Sequence, residues 1–180
     1  MLTFPELYAP LNQDEKKFLK KFQAIKGREL NVKIPFREIA TGQEKLVTIT
    51  GQKIKVQGED KELPPQFLPA EVFPQYEAMM SAMQKDIGKR LYVESGYRSS
   101  AYQLYLFVFY LKNHDYSIRE TVKFVALPGY SEHGSPHHQA IDFINEEGIN
   151  GEEHPEEFEV LDEYRWLNEH ASRFVGRDKS

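Results

Sequence analysis

At 180 residues, with 40% hydrophobic, 13% aromatic and 28% charged side chains, the chain is sized for one domain that buries a core unaided, and its composition excludes extended disorder. A net charge of −5 speaks against a general nucleic-acid binder. Cysteine is absent, which removes disulfides and thiolate metal sites, so any metal must be held by His, Asp or Glu. The start "MLTFPELYAPLNQDEKKF" lacks the basic-then-apolar pattern of a secretory signal, and "AYQLYLFVFYL" at 101–111 is too short to cross a bilayer. No membrane span and no nucleic-acid partner are expected, and the compartment is left open.

In chain order, residues 14–26 place Phe18, Phe22 and Ile25 on one helical face, with Asn12 or Asp14 as cap and Gly27 as stop. "KLVTIT" and "KIKV" follow, separated by Gly51-Gln52, a pair suited to a tight turn, and are expected to form a β-hairpin. After the proline-rich "KELPPQFLPAEVFP", Tyr76, Met79, Met80, Met83 and Ile87 recur at helical spacing as a core face. "RLYVES" reads as a short strand, 101–113 as a buried helix, 117–125 as a second short helix and "QAIDFI" as a strand. A last helix runs from Pro155 to about 174, with Val160, Tyr164, Leu167, Ala171 and Phe174 as its apolar stripe. Its acids fall early and Arg173 and Arg177 late, as the helix dipole favours. His114, His170, Trp166 and Tyr164 read as structural, and His154 as a solvent-exposed residue near a helix start.

Charge is unevenly placed. Between Phe124 and Tyr164 there is no Lys or Arg, but there are eleven Asp or Glu residues and four histidines. The glutamates from Glu146 to Glu159 suit a solvated acidic surface. Asp142 is different, because it sits in an apolar strand pattern where an unpaired carboxylate is costly, so it needs a partner.

Two segments combine into something more specific. "SGYRSSAYQ" carries Ser95, Gly96, Tyr97, Arg98, Ser99 and Gln103, and "GYSEHGSPHHQAIDF" carries Ser131, His133, Ala140 and Asp142. Together they resemble the two signature blocks of the VanY-like D-alanyl-D-alanine carboxypeptidase family of zinc peptidases. "EYRWLNEHASRF" at 163–174 is similar to that family's Tyr-x-Trp-Leu helix. The resemblance covers roughly 70–176 and does not extend to residues 1–65.

The resemblance implies an α+β fold, a small mixed or antiparallel sheet flanked by helices, of the Hedgehog/D-Ala-D-Ala peptidase type. It divides the chain into an extension at 1–65, a helix and hairpin packed on the main domain, and a peptidase-like domain at 66–180. It implies a zinc metallopeptidase acting on peptidoglycan stem peptides, with Zn2+ held by His133 and Asp142. His137 or His138 is the alternative source of the imidazole. Arg98 would grip the substrate's free carboxylate, helped by Ser95, Tyr97, Gln103 and Ser131. The family also implies a cell-envelope or periplasmic setting.

The chain departs from the family in two ways. His133 and Asp142 are nine positions apart where the family has seven, which places two extra residues in "GSPHHQ". No Glu-x-x-His, the family's source of base and third ligand, occurs in the sequence, so the closing strand is expected to be missing. No residue is assigned as catalytic base; Glu152, Glu153, Glu163 and Glu169 lie near in sequence without the matching spacing. Two alternatives to the enzyme remain: a catalytically degenerate module that binds D-Ala-ended peptides, and a structural or partner-binding domain.

Overall fold

The computed structural model describes residues 1–32, 44–135 and 138–174. In chain order the elements are α1 (Phe4–Tyr8), α2 (Gln13–Gln23), β1 (Leu46–Ile49), β2 (Lys53–Val56), β3 (Glu59–Glu62), β4 (Gln66–Pro69), α3 (Phe73–Ile87), β5 (Tyr92–Ser95), α4 (Ser100–Leu111), α5 (Ile118–Thr121), β6 (Asp142–Ile144), α6 (Pro155–Glu159) and α7 (Asp162–His170). Short 3-10 turns fill several of the gaps. The class is α+β, with small antiparallel sheets and helices beside them. Two compact units divide the chain: residues 1–44 with 97–140, and residues 45–96 with 141–180.

The first unit is helical. Asn12 caps α2 by accepting from the backbone N–H groups of Asp14 and Glu15, while Glu15 reaches back to the Asn12 N–H, a reciprocal capping box. Leu19 and Phe22 of α2 bury against Leu104, Phe107 and Leu111 of α4, with Leu127 beneath. Phe18, expected on the buried face, is exposed and meets Phe22 edge-on, because Leu19 rather than Phe18 shares the inward stripe. The helix ends at Gln23; Gly27 instead opens a 3-10 turn. Its N–H donates to the Tyr130 hydroxyl at 2.6 Å, and a Cβ there would collide with the Tyr130 ring. That close approach explains the glycine better than helix termination does.

α4 has one buried face, formed by Ala101, Gln103, Leu104, Phe107 and Leu111. The reading of a wholly buried helix is corrected here, because Tyr102, Tyr105, Phe109 and Tyr110 are exposed on the other side. Hydropathy alone hides this, since aromatic side chains count as apolar wherever they point. Beyond α5, i→i−3 bonds from Lys123 and Phe124 tighten the chain into turns, so the short helix expected at 117–125 keeps only one regular turn.

The second unit holds three two-stranded antiparallel sheets, β1–β4, β2–β3 and β5–β6. The expected hairpin between "KLVTIT" and "KIKV" does not form, because β1 pairs with β4 and β2 with β3. The tight turn is Gln57-Gly58, where both residues have positive φ, as a type I′ turn requires. Gln52, expected as a turn residue, is buried. Its amide donates to the Val93 carbonyl and accepts from the Val93 N–H, each at 2.9 Å, so one side chain serves the edge of β5 as a neighbouring strand would.

Tyr76, Met79, Met80 and Met83 of α3 form the core face expected of them, with Leu68, Leu91, Val93, Phe158 and Trp166. The helix expected from Pro155 to 174 is broken into α6 and α7 by Leu161, whose backbone is extended. Phe158 and Trp166 lie off the stripe that runs through Val160. The break buries both and leaves Val160 exposed. Trp166 also donates to Asp86 at 3.0 Å. Arg177 lies outside the described residues.

Candidate functional site

Both signature segments contain a boundary between the units: Gly96 ends one stretch of the second unit, and Ile141 begins the next. Each unit therefore carries its own share of the candidate residues.

In the first unit, the Arg98 N–H donates to the His133 carbonyl at 2.8 Å, so the two signature segments are joined by a main-chain bond. His133 lies in the 3-10 turn Glu132–Gly134. Ser131 precedes that turn, and its hydroxyl accepts the His133 N–H at 3.3 Å. The Gln139 amide also donates to the His133 carbonyl, at 3.2 Å, and to Ala140 at 2.6 Å. Sequence reading passed over Gln139, for an amide inside a histidine-rich loop gives no periodic signal. His133 is half-buried and His138 exposed; His137 lies outside the described residues.

Tyr97 is buried, and its hydroxyl donates to Glu44 at 2.9 Å. Burial, and then Glu44, push the phenol well above its usual range, which keeps it a donor. Ser99 caps α4 by accepting from the Tyr102 N–H and donates to the Leu2 carbonyl. Gln103 is almost fully buried, and its amide N–H donates to Ala126 at 2.7 Å. Its Nε2 thus serves the fold of the unit, while its Oε1 is buried with no hydrogen-bond partner among the described residues.

In the second unit, Ser95 and Asp142 face each other across β5 and β6. The register slips between Val93 and Ser95, so Glu94 is the extra residue of a β-bulge, a device that re-aims a side chain. Gly96 follows; a Cβ there would collide with the Phe67 carbonyl oxygen, and its N–H donates to Gln66 at 3.3 Å. Glu94 accepts from the Asn150 amide at 2.7 Å, while the Asn150 oxygen accepts the N–H groups of Glu152 and Glu153. Burial pushes the Glu94 carboxyl above its usual range. The Asn150 bond pulls it down, and Asp142, Glu152 and Glu153 push it up again. Neither Glu94 nor Asn150 was singled out from the sequence, because a bulge leaves no mark in an alternation of four residues.

Two of the four glutamates near the site in sequence are engaged elsewhere. Glu163 is buried and paired with Lys89 at 3.4 Å, and Glu169 lies 3.7 Å from His170. Among the described residues, no three His, Asp or Glu side chains gather as a ligand set. The donors that are present, an imidazole and a carboxylate, are nonetheless of the kind zinc takes. The carboxylates around Glu94 also form a local field that a cation would relieve.

Residues 65–175 match the VanY family, described as D-alanyl-D-alanine carboxypeptidase. The chain belongs to that family. No curated protein matches it by sequence. Among solved structures, it is similar to a mutant of the vancomycin-resistance D,D-pentapeptidase VanY from a VanB-type resistance cassette, in complex with Zn(II). That likeness has 22% identity and a TM-score of 0.48, and covers 79% of this chain and 72% of the other. It is also similar to VanYB in complex with D-alanine-D-alanine, at 19% identity and a TM-score of 0.45, covering 76% and 70%. The VanY match takes in both signature segments, β4 to β6 and α7, and begins after the N-terminal helices and the β2–β3 hairpin.

Proposed function

We propose that this VanY-family protein is a zinc-dependent D,D-carboxypeptidase-like peptidase acting on peptidoglycan stem peptides. The observation that supports this best is the bond from the Arg98 N–H to the His133 carbonyl. It holds a guanidinium suited to a terminal carboxylate and an imidazole suited to a metal within one backbone frame.

In this reading His133 and Asp142 are zinc ligands, with His137 and His138 as alternatives for the imidazole. Bound zinc would supply a Lewis acid that makes its water acidic and polarises the scissile carbonyl. Arg98 takes the substrate's free carboxylate by a bidentate pair, which selects a chain end over an internal peptide. Ser131 fixes the turn that presents His133. Asn150 holds the Glu94 carboxylate beside Asp142 and the backbone of the acidic loop in one arrangement. Ser95, Tyr97 and Gln103 are assigned, with Arg98, to binding the substrate in this reading.

A second reading is a module that binds D-Ala-ended peptides without turnover. It is favoured by the engagement of Glu163 with Lys89, which removes one candidate base. The deciding measurement is release of D-alanine from a peptide ending in D-Ala-D-Ala, with zinc and with a chelator. Zinc-dependent release that is lost in His133→Ala supports the enzyme. Binding of the peptide without release supports the module, and neither binding nor release refutes both.

A further inference from the structure

The exposed face of α4 is a row of aromatic rings. Tyr102, Tyr105, Phe109 and Tyr110 are 39%, 45%, 46% and 36% exposed. Tyr102 and Tyr105 are near-parallel, with centroids 5.9 Å apart, and so are Tyr105 and Phe109 at 6.1 Å. Tyr110 closes the row edge-on against Phe109, and the Lys112 ammonium sits 4.5 Å over the Phe109 ring. From Tyr102 to Phe109 the row rises seven residues, about 10.5 Å along the axis, comparable with one disaccharide repeat.

Fold stability does not account for these rings, since the opposite face of α4 makes the core contacts. Their chemistry restricts what could cover them. The helix sequence "SAYQLYLFVFYL" has no ionised side chain, and the charge that reaches the row, Lys112, is held over the Phe109 ring, so a highly charged peptide or nucleic acid would find little counter-charge along it. An anionic bilayer attracts cationic amphipathic faces, whereas this chain carries a net charge of −5. A pyranose fits better, because its C–H face lies flat on a ring and its hydroxyl edge can meet the phenols of Tyr102, Tyr105 and Tyr110.

The row also adjoins the first signature segment in the chain. It begins at Tyr102, whose N–H is capped by Ser99 and whose neighbour is Gln103, both within the first signature segment. We infer that the aromatic face of α4 binds the uncharged β-1,4-linked amino-sugar strand from which the stem peptide hangs. This rests on the peptidase reading for the identity of the polymer, and it adds a glycan platform to a site otherwise built for a peptide end.

The test uses the 180-residue chain with two separate probes: a β-1,4-linked N-acetylglucosamine tetrasaccharide, and a sugar-free peptide ending in D-Ala-D-Ala. Binding is followed by calorimetry. Tyr105→Ala and Phe109→Ala should each weaken tetrasaccharide binding by about tenfold, the scale of one lost aromatic contact, with peptide binding unchanged. Tyr105→Phe and Phe109→Tyr keep the rings and should retain most of the affinity, which guards against misfolding as the cause. Arg98→Ala should show the reverse pattern, losing the peptide and keeping the sugar. Peptide binding without sugar binding, or sugar binding indifferent to both alanine changes, overturns the platform. So does a concentration-dependent dimer that the alanine changes abolish, for the face would then meet a second copy. Sugar binding without peptide binding leaves the platform standing and sinks the peptidase reading alone.

Discussion

Arg98 tests the carboxylate-clamp role, because its backbone and its side chain do separate work. The N–H is bonded to His133, and that bond survives truncation of the side chain. Arg98→Ala should therefore weaken binding of peptides with a free C-terminal carboxylate by about tenfold to a hundredfold, the 1.5–3 kcal/mol of a charge-assisted hydrogen bond. Zinc affinity should stay nearly constant. The clamp is wrong if the native chain binds amidated and free-carboxylate peptides equally. Glu94 gives a pH signature at the same scale. Burial holds its folded pKa above that of an ordinary glutamate, so its stabilising contribution is present in mild acid. That contribution is lost as pH rises from the ordinary value through the shifted one. In metal-free protein the thermal midpoint should fall over that window, and Glu94→Gln, which still accepts from Asn150, should flatten the fall. An unchanged slope in the variant would assign the effect to other carboxylates.

Elements show where sequence reasoning is strong and where it stops. α3 was legible because its tyrosine and methionines repeat at helical spacing and all face one core. β5 and β6 were legible as strands, but the bulge at Glu94 was not, since one extra residue does not disturb so short a pattern. The hairpin failed for a different reason. Gly51-Gln52 has turn chemistry, but local chemistry competes with a tertiary demand, and Val93 offers a buried N–H and carbonyl that Gln52 satisfies together. This predicts that Gln52→Ala is costly although it deletes little apolar surface. Two buried backbone groups lose their partners, and the expected loss is about 2 kcal/mol or more. Denaturant unfolding would measure it, and a loss near zero would mean that water replaces the amide. His133, Asp142 and Arg98 were singled out because motifs mark residue types. Glu94 and Asn150 were missed because each depends on the other, 56 positions away in the chain, and Gln139 because its short-range bonds to His133 and Ala140 leave no periodic mark.

For the whole molecule, the uneven charge seen in the sequence has a structural counterpart. No Lys or Arg occurs between Phe124 and Tyr164, and in the second unit burial, and then Asp142, Glu152 and Glu153, push the Glu94 carboxyl above its usual range. Such a group favours folding less at neutral pH than in acid, unless a cation joins it. A metal that binds only the folded chain stabilises it by mass action, by about 2.7 kcal/mol when its free concentration is a hundred times the dissociation constant. Zinc should therefore raise the thermal midpoint at neutral pH, and raise it less in acid, where the imidazole and carboxylate donors are protonated. His133→Ala and Asp142→Ala should each remove most of this shift, whereas Glu169→Ala, at a glutamate that pairs with His170 in α7, should keep it. Calorimetric scans with zinc and with chelator make the comparison directly. If His138→Ala removes the shift and His133→Ala does not, the imidazole comes from the other end of the loop. If no histidine matters, zinc binds the acidic surface without a specific site, and the peptidase reading loses its metal.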